Sequence, residues 1–447
     1  MKAYRTSLLL VAALLAFPTA LFSHAKLVRS NPASGSALDR APARIALTFT
    51  ERPELSLSRV ALVGPAGDTI TLALTRDSSD ANTLNAQVPI GIIPGDYRVS
   101  WRAAGSDGHP SRGVIEFAVR AARPLAQTAP PAAASPVPED PAASVAVGGA
   151  LEAIFARWLA FISTFLVIGA VAFRFLVLRR ISPAGGGLFT EIAETNAATL
   201  GIAAAAGAIL GAMLRINRAS SDMPDVSLDS MMLDSIWGFS ILMQIAGAIA
   251  VIVSLYWVHK VREEKRSVAW RAAMISAAAL AIGPALGGHA LAGKPVIVSV
   301  IADIVHIAAG SVWLGSLAAI MMVGISAALK TPDTIRPGER VASMINVFSP
   351  VALVCGGIVV ATGSIAAIFH LPALRSLWTT PYGATLMLKL FFVALLFGAG
   401  AWNWKRMKPR LTGDDAIPPM RSSATLELVI ASVVLSITAI LVALELP

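Results

Sequence analysis

Hydrophobic and polar positions divide the chain into three textures. From about residue 24 to 120, short runs alternate apolar and polar residues between breaks of Pro, Gly and Asp: ARIALTFT, SRVALVG, TITLAL, TLNAQVP, GDYRVSWRA and GVIEFAVR. A period of two at this spacing predicts half-buried strands closing into a small β-sandwich or barrel, just large enough to bury its own core. Residues 121–150 lose the alternation and turn rich in Pro and Ala, which predicts an extended, mobile tether. From 151 onward the chain is almost continuously apolar, with eight segments long enough to cross a bilayer, at about 151–177, 196–214, 236–258, 269–288, 297–326, 343–369, 384–404 and 425–446. The expected architecture is an all-β N-terminal domain tethered to an all-α integral membrane bundle of eight transmembrane helices. No internal repeat supports an inverted-repeat transporter.

Composition agrees with this division. The 447 residues are 55% hydrophobic and only 14% charged, with a mean hydropathy of +0.69, far from the balance of a soluble protein. Residues 1–23 place Lys2 and Arg5 before LLLVAALLAF and small residues, the pattern of a secretory signal peptide, so the β domain is expected to be exported. Cleavage after Ser23 leaves His24 as the new N-terminus, whereas cleavage after Ala25 satisfies the same small-residue rule and discards it. With the β domain outside, the loops place fifteen Lys and Arg inside and four outside, namely Arg215, Arg218, Lys294 and Arg375. That asymmetry accounts for the formal charge of +9 without a nucleic-acid partner. The single cysteine, Cys355, excludes an internal disulfide or a CxxC pair. No Walker, GxSxG, HExxH or dinucleotide motif points to an enzyme or to ATP use.

Candidate chemistry centres on PVIVSVIADIVHIAAGSVWLGSLAAIMMVGIS, the fifth span. Asp303 and His306 are three residues apart and share a helical face, and an ionisable pair within hydrocarbon is costly enough to mark a site. Of the six histidines, His24 and His109 lie in the exported domain. His289 and His370 fall at the outer ends of the fourth and sixth helices, and His306 lies deeper from the same side. His259, in YWVHKVREEKR, is an interfacial basic residue on the inner side. This row of imidazoles is what capture and uptake of a borderline transition metal require, with Asp303 either binding the metal or orienting His306. In GSDGHPSRGVIEFAV, Asp107 and His109 share a turn between strands. With His24 at the N-terminus, its amine and Nδ1 would chelate one ion, and Asp107 and His109 would complete a nitrogen-rich tetragonal site suited to Cu(II). Glu51, in TFTERPE, is a candidate axial oxygen. Lys389 and Glu427 are further charges in the spans, either paired with each other or on an ion or proton path. Trp313 is read as packing on the His306 face. Met213, Met223, Met231 and Met232 surround the second outer loop and read as packing, with Met231 and Met232 as alternative acceptors of Cu(I).

HAKLVRSNPASGSAL, TFTERPE and SDGHPSRGVIEFAV resemble the CopC family of periplasmic copper-binding β-sandwich proteins across residues 24–120. GGHA at 287–290, HIAAGSVWLGSL at 306–317, NVFSPVALV at 346–354, TTPYGATLMLKLFFVALLFGAGAWN at 379–403 and the closing LELVIASVVLSITAILVALELP resemble the CopD family. The fused order is similar to copper importers that join the two. The resemblance implies an Ig-like sandwich with Cu(II) at His24, Asp107 and His109, and a CopD-like domain at 151–447. It implies residence in the bacterial inner membrane with the sandwich on the periplasmic side. Copper ion, the lipid bilayer and a periplasmic copper donor or reductase are the implied partners. Residues 24–120 contain no Met, so the methionine-rich Cu(I) site of some CopC proteins is not expected. Two other readings stand beside copper transfer: a haem b redox protein ligated by His289, His306 or His370, and a passive copper sequestration or resistance factor.

Overall fold

Alternation in the first texture produces nine strands in two sheets. A computed structural model describes residues 26–105, 108, 110–120, 143–181, 187–288, 295–332, 335–371, 373–407 and 417–444. The strands are β1 Leu27–Asn31, β2 Ser36–Leu38, β3 Arg44–Phe49, β4 Arg59–Val63, β5 Thr69–Thr71, β6 Leu74–Arg76, β7 Thr83–Gln87, β8 Gly95–Ala104 and β9 Pro110–Val119. One sheet runs β1-β3-β7-β6 and the other β2-β9-β8-β4-β5, which makes the domain a sandwich rather than a barrel. Alternate residues Ile45, Leu47 and Phe49 of β3 meet Val60 and Leu62 of β4, Val99 and Trp101 of β8 and Phe117 of β9 in one core. Phe49 meets Trp101 edge-on with ring centroids 5.4 Å apart.

TITLAL reads as one strand but forms two. Thr69–Thr71 pairs with β4 and Leu74–Arg76 with β7, so the chain changes sheets at Leu72 and Ala73. The bend keeps its backbone bonds: Leu72 N donates to Val60 O (2.8 Å) and Gln87 N donates to Ala73 O (3.0 Å). Leu72 is buried in the core. The alternation also left β1 and β2 unmarked; β2 is a parallel edge strand on β9.

Among the described residues, eight helices are long and apolar enough to cross a membrane: α1 Leu151–Ile181, α2 Leu188–Asp222, α3 Ile236–Lys260, α4 Glu264–Leu286, α5 Val296–Lys330, α6 Pro337–His370, α7 Pro381–Arg406 and α8 Ile417–Leu441. The helix of α1 continues back to Ala143, into the stretch expected to be tether. Residues 121–142 lie outside the described residues. Helix α2 runs to Asp222, past the end expected at 214, so Arg215 and Arg218 are helical residues and not loop residues. The fifth span is the centre of the bundle and is mostly buried, whereas α6 and α7 leave most of their apolar residues exposed. Helix α1 packs on α2, on α8 and on the middle of α5. Gly169 and Gly315 permit that last approach, since a Cβ on Gly315 would overlap the Phe165 carbonyl oxygen and one on Gly169 would overlap the Gly315 backbone.

The sandwich sits directly on one end of the bundle. Leu57 and Ala104 of the sandwich are buried with Ala212, Ala219, Met223, Val226, Met231, Met232, Trp237 and Ile241. Arg102 forks onto Asp225, its Nη2 donating to Oδ2 at 2.7 Å. Arg112 donates to the Asp222 carbonyl, and Ser56 Oγ donates to the Asp234 carbonyl at 3.1 Å.

Candidate functional site

A cavity of about 470 Å³ opens beneath the sandwich and reaches into the bundle. Its wall includes Gly108 of the β8–β9 turn at one end and Asp303, His306 and Lys389 in the spans. Gly108 N donates to Gly105 O at 3.1 Å, closing the turn, and Gly108 has φ +77°, which favours glycine. A Cβ there would stand 2.6 Å from the Trp237 ring, so the indole lies flush against this turn. Trp237 is itself buried and lines the cavity. Of the expected ligands, His24, Asp107, His109 and His289 lie outside the described residues. Glu51 is described, and its carboxylate lies against Gly105.

Helix α5 places Asp303 and His306 on the cavity wall, with His306 about 15 Å from the start of the helix at Val296. His306 Nδ1 is 2.9 Å from Thr362 Oγ1 of α6, and that hydroxyl donates its one proton to the Ile358 carbonyl at 2.7 Å. The ring also meets the Val359 backbone, and in the tautomer that carries its proton on Nδ1, facing Thr362, the lone pair on Nε2 is the donor available to a metal. Lys389 of α7 acts electrostatically on both Asp303 and His306. It does not pair with Glu427, which instead accepts from Asn403 Nδ2 while Ser423 Oγ donates to Asn403 Oδ1. His370, the last residue of α6, also lines the cavity. Among the described residues no three His, Cys, Asp or Glu side chains form a metal-holding group. Trp313 packs on Phe397 at 5.0 Å between ring centroids, and Met231 and Met232 are buried beneath the sandwich, as packing residues would be.

Several cavity and interface groups escaped the sequence reading. Arg157 of α1 and Arg215 and Arg218 of α2 line the cavity. Arg215 Nη2 donates to Gln244 Oε1 at 2.8 Å, and Arg218 pairs with Asp222 at 2.9 Å. Glu54, three residues after Glu51, is buried and accepts from the Ile236 N–H at the start of α3, where the helix dipole favours a carboxylate. Burial pushes its pKa up, with Arg52 and Arg76 opposing. The visible signal for the arginines was a charge inside an apolar run, as in FARWLAF.

A CopC domain matches residues 27–120, and a domain described as copper resistance protein D matches residues 342–441. Copper resistance protein C of Xanthomonas campestris pv. juglandis is 34% identical over 125 residues, covering 27% of this chain and 97% of that protein. The chain belongs to the CopC family, with a CopD domain in the same polypeptide. Copper transport protein CutJ of Bacillus subtilis is 27% identical over 428 residues, 92% of this chain and 74% of CutJ. The solved CopC of Methylosinus trichosporium is 24% identical and covers 23% of this chain and all of that one, with a TM-score of 0.21. This CopC–CopD chain is thus a multi-pass membrane protein of a copper transport and resistance family.

Proposed function

We propose that the protein captures Cu(II) on the exported sandwich and passes copper inward across the bacterial inner membrane through the bundle. Capture is by His24, Asp107 and His109, with Glu51 at hand as an axial oxygen, and the imidazole-rich donor set suits Cu(II). His306 Nε2 and Asp303 receive the metal in the bundle, and His289 and His370 flank their approach. The single observation that carries this reading is that one cavity is walled both by Gly108, which stands between Asp107 and His109 in sequence, and by Asp303 and His306. The copper names of the relatives support the choice of metal. The sandwich faces the periplasm in this reading, where a copper donor or reductase would meet it. No residue is assigned a catalytic role.

The haem alternative gains nothing from the geometry. His306 lies level with Thr362, and His370 is eight residues, about 12 Å, farther along α6. The deciding experiment is metal analysis and absorption spectroscopy of full-length protein, beside His109→Ala and His306→Ala, with the mature N-terminus determined by mass. Copper bound to the wild type, reduced separately by each substitution, with His24 first and no Soret band, is the expected result. A chain beginning at Lys26 would remove the sandwich site. Cellular copper that rises no further than the protein's own bound metal would favour sequestration over transport.

A further inference from the structure

The outward face of the β2-β9-β8-β4-β5 sheet carries a row of arginines where it meets the bundle. Arg59 of β4 stands opposite Arg102 of β8, which stands opposite Arg112 of β9, so three guanidiniums lie side by side across neighbouring strands. Like charges placed opposite one another repel. The next row, Ala61, Ser100 and Val114, is uncharged, and beyond it Arg98 and Glu116 pair at 3.1 Å. A groove of about 760 Å³ follows the arginine row, and among the described residues that line it Asp225 is the one carboxylate. Arg102 forks onto Asp225, and Arg59 acts on the same carboxylate electrostatically. Arg112 and Arg59 donate to the carbonyls of Asp222 and Ser58, which satisfy N–H groups without cancelling charge. Unlike the cavity in the bundle, this groove has no lining residue next in sequence to a segment outside the described residues.

The row stands at the level of a membrane surface. Asp222 ends α2, a helix of 35 residues and so about 52 Å, well beyond the roughly 30 Å of bilayer hydrocarbon. Its last turn therefore lies among or above lipid headgroups. Close by in the chain, the short helix Leu228–Leu233 buries Met231 and Met232 under the sandwich and leaves Leu228 and Leu233 55% and 73% exposed, which suits leucines resting on the acyl boundary. We propose that Arg59, Arg102 and Arg112 bind the phosphate of an anionic phospholipid in the leaflet beneath the sandwich. Planar guanidiniums match phosphate oxygens two at a time, and the groove is large enough for a headgroup, with the hydroxyls of Thr71 and Ser100 on the neighbouring positions of its wall. Because Arg102 and Arg112 also hold the residues at and just past the end of α2, a lipid on this row clamps the sandwich to the bundle. The site stands apart from the copper route and does not depend on it.

The test is native mass spectrometry of full-length protein in a non-ionic detergent, titrated with phosphatidylglycerol and, separately, with phosphatidylcholine. Lipids held by basic loops elsewhere are common to all variants and cancel in the comparison. Wild type should retain a phosphatidylglycerol that Arg59→Gln holds about fivefold more weakly, the effect of one arginine near an anionic surface. Arg98→Gln removes a charge from the same sheet face, two rows away, and should leave retention unchanged. Asp225→Asn removes the competing carboxylate and should tighten retention several-fold, a gain that a damaged fold would not give. Retention unchanged in Arg59→Gln, equally reduced in Arg98→Gln, or not tightened in Asp225→Asn overturns the site. Phosphatidylcholine held as tightly as phosphatidylglycerol overturns the choice of an anionic lipid. Displacement of the lipid by inorganic phosphate at equal concentration would assign the row to a free oxyanion instead, and displacement by a polyglutamate peptide would assign it to an acidic protein.

Discussion

Two sets of charged groups lie inside the bundle, and they are built on opposite principles. On the side away from the sandwich, Arg174 of α1 pairs with Glu194 of α2, with side chains only 17% and 7% exposed, and Asn403, Ser423 and Glu427 satisfy one another. Those groups close on themselves. Asp303, His306 and Lys389 instead line a cavity, and Thr362 takes up only one face of the imidazole. On the proposed function, a charge within a span serves chemistry where its partners leave a donor facing open space, and elsewhere it holds helices together.

Substitutions should separate the two principles cleanly. Glu194→Ala leaves a buried guanidinium without its carboxylate and should cost about 3–5 kcal/mol, seen as a large fall in thermal unfolding temperature in detergent. His306→Ala should leave that temperature nearly unchanged and lower bound copper in the bundle and cellular accumulation by at least about 10-fold, since removing a ligand should exceed the loss from removing its orienting partner. If His306→Ala destabilised the bundle as much as Glu194→Ala, the division between structural and functional charges would fail. Thr362→Val keeps the shape of the side chain but removes the acceptor that fixes Nδ1–H. It should weaken copper binding about 10–100-fold, with a stability change of only about 1 kcal/mol. Copper binding unaffected in Thr362→Val would mean that the tautomer at His306 is set by something else.

The same contrast explains what the sequence disclosed. Strands such as RIALTF and RVALV and the eight spans were legible because each buries one face or a whole surface, a local pattern. TITLAL misled because Leu72 points into the core while its neighbours pair in opposite sheets, a tertiary choice that alternation does not encode. Asp303 and His306 could be read as a pair from their spacing, but Thr362 and Lys389 come from other helices with no sequence signature of the meeting. Arg215 and Arg218 looked like loop residues because two cations ordinarily end a span. Here the helix continues, and both side chains lie on the wall of the cavity. Arg157 lies within an apolar run, where the charge was the only sign.

The smallest expected effect concerns the contact between the two domains. Arg102 holds the Asp225 carboxyl below its ordinary pKa of 3.8, chiefly through their hydrogen bonds. A carboxylate depressed in the docked state contributes its stabilisation fully above that ordinary value and loses it as pH falls through the lower docked value. Docking should therefore be insensitive to pH near neutrality and should loosen only below about pH 4. Asp225 is 51% exposed against 11% for Arg102, so solvent screens the pair and its worth is at most about 1 kcal/mol, or up to about fivefold in the docked-to-free ratio. Spin labels on the exposed residues Ile90 and Leu233 would report this as a distance distribution that broadens on acidification. Asp225→Asn should broaden it modestly already at pH 7 and remove much of the further change on acidification. A variant with unchanged distances would place the docking energy in Leu57, Ala104 and the methionine-rich patch beneath them, where apolar burial acts without regard to pH.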